Sequence, residues 1–429
     1  MGKIDDARSR SRAAGRQKDP GDSPHEILLH RVQSYVLPPR YAVWEITLAC
    51  NLACVHCGSR AGRARERELT TEEALRVVDQ LAETGVEEVT LVGGESYLRE
   101  DWDAILRALG ERRIRTSIAT GGRGLTRERV RRAREAGIET VGVSVDGLEA
   151  THDRLRGVRG SWRWAMEAID LVRAEGVRAT SNTQVNRVNR QDLEALCDVL
   201  VSRGISGWQV QITAALGRAA DRPELLLQPY DVLDLIPRLA ALKIRCEIAG
   251  VELSPGNNVG YFGPHEEILR RHYGRAFHWE GCGAGRTAIG IESDGTLKGC
   301  PSLQTDAYAA GNLRESTLPV LWKSSPVFER QRAFSREDLW GGCRDCYYAE
   351  TCRGGCAFTA HAILGRPGNQ PYCYHRAEEL RKRGRREVLV PAKPPPGRPF
   401  DSGLFELREE PDEPRDGTLP EVPTPRSAR

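Results

Sequence analysis

The 429-residue sequence has no apolar run of the ~18 residues needed to span a bilayer. Its opening stretch, MGKIDDARSRSRAAGRQKDPGDSP, lacks the apolar centre of a secretory signal. Lysine is scarce, seven of 63 basic residues, and the formal net charge is only +3. The arginine excess reads as a compositional bias of the source genome, and so small a net charge argues against a chain built around nucleic-acid phosphates. The expectation is a cytoplasmic protein with neither membrane nor nucleic acid as a partner. Thiols stay reduced there, which excludes a disulfide framework and leaves metal binding or catalysis for the twelve cysteines.

Residues 1–37 are charged, small and Pro-containing, and are expected to form a flexible arm. From 38 to 245, short β-branched runs alternate with amphipathic runs. YAVWEITLA, EEVTLVGG, IRTSIATGG, ETVGVSVDG, VRATSNTQVN and SGWQVQITAA read as strands. TTEEALRVVDQLAETG, with Thr70 placed to cap and a closing glycine, begins the helical series. Repeated βα units imply an α/β fold with a parallel sheet, either doubly wound or an incomplete barrel. Residues 246–281 form a connector, 282–376 a Gly/Cys/Arg-rich body with little helical period, and 377–429 a Pro- and charge-rich tail expected to be extended.

Cys50, Cys54 and Cys57 follow the first strand in the pattern C-x3-C-x2-C. Soft thiolates suit an iron–sulfur cluster or zinc. Zinc knuckles use C-x2-C pairs, so the wider spacing weighs against zinc. Three ligands on a four-iron cluster leave one iron open to a small molecule. The second strand ends in Gly93, Gly94 and Glu95, where backbone can approach a ligand closely and a carboxylate can accept from an ammonium group. Both features sit at the carboxyl end of strands, where active sites of parallel α/β folds gather.

CNLACVHC followed by GGE resembles the radical S-adenosylmethionine (SAM) superfamily. The resemblance implies a partial (β/α)6 TIM-like barrel. It implies that Cys50, Cys54 and Cys57 hold a 4Fe–4S cluster whose fourth iron is chelated by SAM, with reductive cleavage giving a 5′-deoxyadenosyl radical. Gly93, Gly94 and Glu95 would bind the SAM amino end, and His56 would lie near the adenine. Ser144 and Asp146, in VSVDG, would lie near the ribose or carboxylate. TGG at 120–122 replaces the T-N-G of many relatives. Flavodoxin or ferredoxin would supply the electron.

The later cysteines run C…G-x4-C…C-x2-C-x5-C-x3-C…C and resemble an iron–sulfur SPASM domain. The resemblance implies two auxiliary 4Fe–4S clusters. Cys343, Cys346, Cys352 and Cys373 would hold the outer one, and Cys282, Cys300 and Cys356 the inner one. The inner set lacks a fourth cysteine; His278, Glu280 and Glu292 are near in sequence. Cys197 and Cys246 read as structural. Pro301 stands where sulfatase-maturing relatives carry an Asp, which counts against that activity. The implied substrate is a ribosomally made precursor peptide or protein, with a small metabolite as the alternative and a non-catalytic iron–sulfur carrier as the rival to an enzyme. Asn257, Asn258 and Tyr261 in SPGNNVGYFGP read as a substrate loop or a connector, and Arg218 as a carboxylate binder or a surface residue. The basic run Arg381–Arg386 reads as a solvated helix end or a site for an acidic leader.

Overall fold

The computed structural model describes residues 36–272 and 277–413. The described residues from Pro38 onward belong to one compact unit, separate from the segment that precedes them. The expected N-terminal arm lies outside the described residues apart from its last two positions.

In the compact unit seven strands stand side by side in chain order, each parallel to the last. They are β1 (Tyr41–Thr47), β2 (Glu88–Gly93), β3 (Arg115–Thr120), β4 (Thr140–Ser144), β5 (Arg178–Val185), β6 (Gly207–Ile212) and β7 (Glu252–Pro255). A doubly wound sheet reverses its order at a switch point. From β1 to β7 the order never reverses, so the partial barrel is the architecture. β7 was not foreseen; it lies inside the expected connector.

The intervening helices are α1 (Thr71–Thr84), α2 (Trp102–Glu111), α3 (Arg127–Glu135), α4 (Glu149–Arg156), α5 (Ser161–Ala174), α6 (Leu193–Ser202) and α7 (Val232–Ile248). α1 shows why they form where they do. The Thr70 side chain accepts from Glu73 N, the Glu73 carboxylate accepts from Thr70 N, and Gly85 closes the helix at a φ of 87°. Ala74, Val77, Val78 and Leu81 then bury one face. Thr70→Ala is expected to cost ~1 kcal/mol of stability, read as a lowered midpoint in denaturant titration. α4 was also unforeseen, and α7 runs through the expected domain boundary at 245.

The cysteine-rich region is grafted onto the barrel. β8 (Ala288–Ile291) pairs in parallel with β1, and β9 (Thr296–Lys298) and β10 (Ala309–Asn312) extend the sheet antiparallel. Beyond it, α8 (Ala357–Leu364) and α9 (Tyr374–Lys382) support a two-stranded antiparallel sheet of β11 (Arg385–Lys393) and β12 (Leu404–Pro411). The expected extended tail is therefore a hairpin up to residue 411. Leu389 and Phe405 are buried beneath it, and Arg385 and Arg386 of the basic run pair with Glu409 and Glu410 across its strands. The Pro-rich stretch that suggested an extended tail ends β11 and then supplies most of the loop joining the two strands. Among the described residues, no helix is long and apolar enough to cross a membrane.

Candidate functional site: a three-cysteine cavity at the barrel mouth

The chain leaves β1 and doubles back, with Cys50 N donating to Gly62 O and Gly62 N to Leu48 O, each at 3.0 Å. Cys50, Cys54 and Cys57 face one cavity of about 330 Å3. Each sulfur has a donor: Leu52 N to Cys50 Sγ at 3.4 Å, Ala61 N to Cys57 Sγ at 3.4 Å, and Arg156 Nη1 to Cys54 Sγ at 3.7 Å. Burial, then Cys54 and Glu95 beside it, pushes the Cys50 thiol up to about 12; burial also raises Cys54, against the pull of Arg156. Thiols so placed give up their protons to a bound cation, whereas N–H donors aimed at sulfur favour thiolate ligands. The donor set fits an iron–sulfur cluster. Among the described residues, no three His, Cys, Asp or Glu side chains converge closely enough to hold a single metal ion.

Arg218 follows β6 and lines the cavity, but its guanidinium is committed to the triplet loop. Nε donates to Cys54 O at 2.8 Å, and both terminal nitrogens donate to Ala61 O at 3.2 Å. It clamps the loop, a role that neither sequence reading anticipated.

Gly93, Gly94 and Glu95 line the same cavity. A Cβ at Gly93 would stand 2.2 Å from Thr47 O, and one at Gly94 would stand 2.0 Å from Ala49 O. The pair is thus needed for β2 to pack against the start of the triplet loop, as well as for any approach by a ligand. Glu95 is buried, and its carboxylate accepts from Thr120 Oγ1 at 2.5 Å and Gly121 N at 2.6 Å. Burial raises its pKa, opposed by those bonds. Thr120, of the altered TGG, therefore orients Glu95, and Tyr97 Oη lies 3.0 Å from the same hydroxyl.

Ser144, at the end of β4, lines the cavity, whereas Asp146 lies behind it, fully buried. Asp146 Oδ2 is 3.0 Å from His56 Nε2 and 2.7 Å from Arg156 Nη2, and its Oδ1 accepts from Gln184 N at 2.9 Å. Despite burial, Arg156 and then His56 hold this carboxyl below the usual carboxylate range. Asp146 is placed to anchor His56 and Arg156, and no direct contact with the cavity accompanies it. His152, buried and pushed down to about 3 chiefly by burial and then by Arg156, accepts from Asp146 N. His56 lines the cavity with its Nδ1 unpartnered. The anchoring role of Arg156 was hidden because α4 was not expected.

The seven later cysteines fall into two groups. Cys343, Cys346, Cys352 and Cys373 line one small cavity with Tyr261 and Phe262. Cys282, Cys300 and Cys356 form the other: burial, then Cys282 and Cys300, pushes Cys356 up to about 12, and burial, then Cys282, pushes Cys300 up to about 11. Of the residues near the inner set in sequence, Glu292 is taken by Lys298 and Arg65, while His278 and Glu280 are exposed. SPGNNVGYFGP starts in β7 with Ser254 and Pro255, and Asn257, Asn258 and Tyr261 are not among the residues lining the triplet cavity. Asn258 bonds both N and O of Ile212, and the Tyr261 hydroxyl accepts from Cys356 N at 3.1 Å. Cys197 and Cys246 meet in the core, their sulfurs 3.5 Å apart.

Residues 44–200 match the radical SAM superfamily, and residues 282–347 match the SPASM iron-sulfur cluster-binding domain. An AdoMet-dependent heme synthase of Methanosarcina barkeri is 30% identical over 349 residues, covering 79% of this chain and 97% of that protein. The chain belongs to the radical SAM superfamily and carries a SPASM domain. It is a radical SAM/SPASM enzyme, with a SAM-binding 4Fe–4S cluster and auxiliary iron–sulfur binding as its cofactor classes. The mycofactocin maturase MftC of Mycobacterium ulcerans is 29% identical over 344 residues, covering 78% of this chain and 88% of that one. The radical SAM fold is shared with Streptococcus suis SuiB, solved bound to precursor peptide SuiA, at a TM-score of 0.58 and 19% identity over 81% of this chain and 80% of that one.

Proposed function

We propose that this radical SAM/SPASM enzyme abstracts hydrogen from a ribosomally made peptide or protein and so installs a post-translational modification. The observation that carries the reading is a single cavity lined by the cysteine triplet, by Gly93–Glu95, and by Pro301 and Ser302 next to Cys300. A substrate held there would lie between the SAM site and the inner auxiliary set.

In this reading Cys50, Cys54 and Cys57 hold the SAM-binding cluster. Cys343, Cys346, Cys352 and Cys373 hold one auxiliary cluster, and Cys282, Cys300 and Cys356 the other. When bound, the cluster and SAM supply one-electron chemistry that ends in hydrogen abstraction from the substrate. The protein's own part is positioning. The backbone at Gly93 and Gly94 and the carboxylate of Glu95 receive the SAM amino group, and Ser144 offers a hydroxyl to its ribose or carboxylate. His56, held by Asp146, stands beside the adenine. Gln184 and Gln211 line the cavity as neutral donors and acceptors suited to peptide backbone. Flavodoxin or ferredoxin supplies the electron.

The heme synthase relative favours a second reading, a small-metabolite substrate such as an iron porphyrin. Cavity size weighs against it. About 330 Å3 is at the low end of the ~300–1,000 Å3 of ligand pockets, and SAM must share it. The test uses the anaerobically reconstituted chain with SAM and a strong reductant, offered short peptides encoded beside its gene or an iron porphyrin. A SAM-dependent mass change in a peptide is expected. An altered porphyrin with every peptide unchanged would replace this reading with the second.

A further inference from the structure

The sheet is an open arc, yet its open side is crossed. The loop between β11 and β12 reaches elements on both sides of the gap. Toward the β6 exit, Ser402 bridges to Leu216 and Gly217 N donates to Asp401 O at 2.7 Å. Toward β8–β9, Gln304 Nε2 donates to Ser402 Oγ at 3.2 Å, and Lys298 Nζ stands 4.1 Å from the centre of the Phe400 ring. Phe400 N also donates to Gly58 O of the triplet loop at 3.2 Å.

Phe400 lines the triplet cavity, and it does so from a backbone conformation that phenylalanine avoids, a φ of +54°. Such outliers persist where their surroundings over-determine them, and they cluster at functional sites. The surroundings here do so. Asp401 Oδ2 accepts from Gly397 N and Arg398 N, and Oδ1 accepts from Arg60 Nε at 2.9 Å. Arg60 is itself braced on Asp221 by two bonds of 2.6 and 2.8 Å. An ordinary surface turn needs neither the strained residue nor a lock onto the cysteine loop.

We propose that residues 397–403 are a strap across the barrel seam, and that Phe400 is the specificity-determining wall of the substrate cavity. It limits entry to one side chain of an extended peptide and keeps bulk solvent and broad, flat molecules from the cluster-facing side. The peptide identity rests on the reading given under Proposed function. The size limit rests on the strap alone.

The test compares the reconstituted, cluster-loaded wild-type chain with Phe400→Gly and Phe400→Leu. Glycine removes the ring and accepts the left-handed backbone, so folding should survive, and a thermal melt checks this. The probes are a compact iron chelator (EDTA) and a bulky aromatic one (bathophenanthroline disulfonate). Iron release is followed, and the freed thiols are located by maleimide labelling and peptide mapping. The expected result for Phe400→Gly is triplet labelling that accelerates several-fold with the bulky chelator and little with the compact one. Phe400→Leu should restore most of the discrimination. Unchanged discrimination in a folded Phe400→Gly chain overturns the proposal. SAM affinity is measured on the wild-type sample by equilibrium dialysis. If wild type fails to bind SAM, the proposed function fails while the strap is still judged by the chelators.

Discussion

Replacing Cys50, Cys54 and Cys57 together with alanine is expected to abolish SAM cleavage while leaving auxiliary iron in place. The three sulfurs are the soft donors on their cavity wall, and each carries an N–H donor that supports thiolate ligation. Alanine offers no ligand and is smaller than cysteine, so the loop should keep its backbone clamps from Arg218 and Gly62. The later cysteines belong to separate groups. Iron should therefore fall by about four per chain, one 4Fe–4S cluster, with the remainder retained. Continued formation of 5′-deoxyadenosine by this variant would remove the triplet from the chemistry. Loss of all iron would mean that the groups do not assemble independently.

The second large effect is expected at Arg156, in stability as well as at the site. Its guanidinium is buried between Asp146 and Cys54. Arg156→Met keeps the bulk and removes the charge, leaving Asp146 buried with His56 as its remaining ionisable neighbour within bonding distance. Breaking a buried pair on one side costs about 3–5 kcal/mol. The sign with pH follows from the depressed Asp146 carboxyl. Its contribution is present above the unfolded carboxylate pKa, about 3.9, and is lost as pH falls through the lower folded value. In the variant, burial without the cation favours the neutral acid, which instead gains stability as pH falls. The gap between wild type and variant should be widest near neutral pH and should narrow toward pH ~4. Thermal melts of both chains at matched cluster loading measure it. A gap that is small at neutral pH, or that widens in acid, would contradict this assignment.

Much of the site was legible because its signals are local. The triplet sits directly after a β-branched run, Gly93–Glu95 end the next strand, and Thr70, Glu73 and Gly85 mark both ends of α1. What escaped depends on distant partners. β7 is four residues ending in proline, too short to show a period, and exists because Gly207–Val210 of β6 offers it an edge. β8 finds β1 across some 240 residues, a pairing no local pattern announces. PAKPPPGRP reads as extended chain. Its prolines fall mainly in the loop, and the flanking RREVLV and LFELREE become strands because each supplies the other's hydrogen bonds. His56 lines the cavity, but Asp146 stands behind it and holds His56 and Arg156, and no local pattern announces a contact between residues so far apart in the chain. The strap escaped for the same reason: Phe400 acquires its role from Gly58, Leu216 and Lys298, each far away in the chain.

The most direct test of the SAM-binding triplet is spectroscopic. The cluster-loaded chain is reduced under anaerobic conditions, and its electron paramagnetic resonance spectrum is recorded with and without SAM. The expected result is a SAM-dependent change in the signal that vanishes in the Cys50, Cys54, Cys57 triple alanine variant while the auxiliary signals persist. A wild-type spectrum indifferent to SAM, or a change that survives in the triple variant, would contradict the assignment of the cavity as the SAM site.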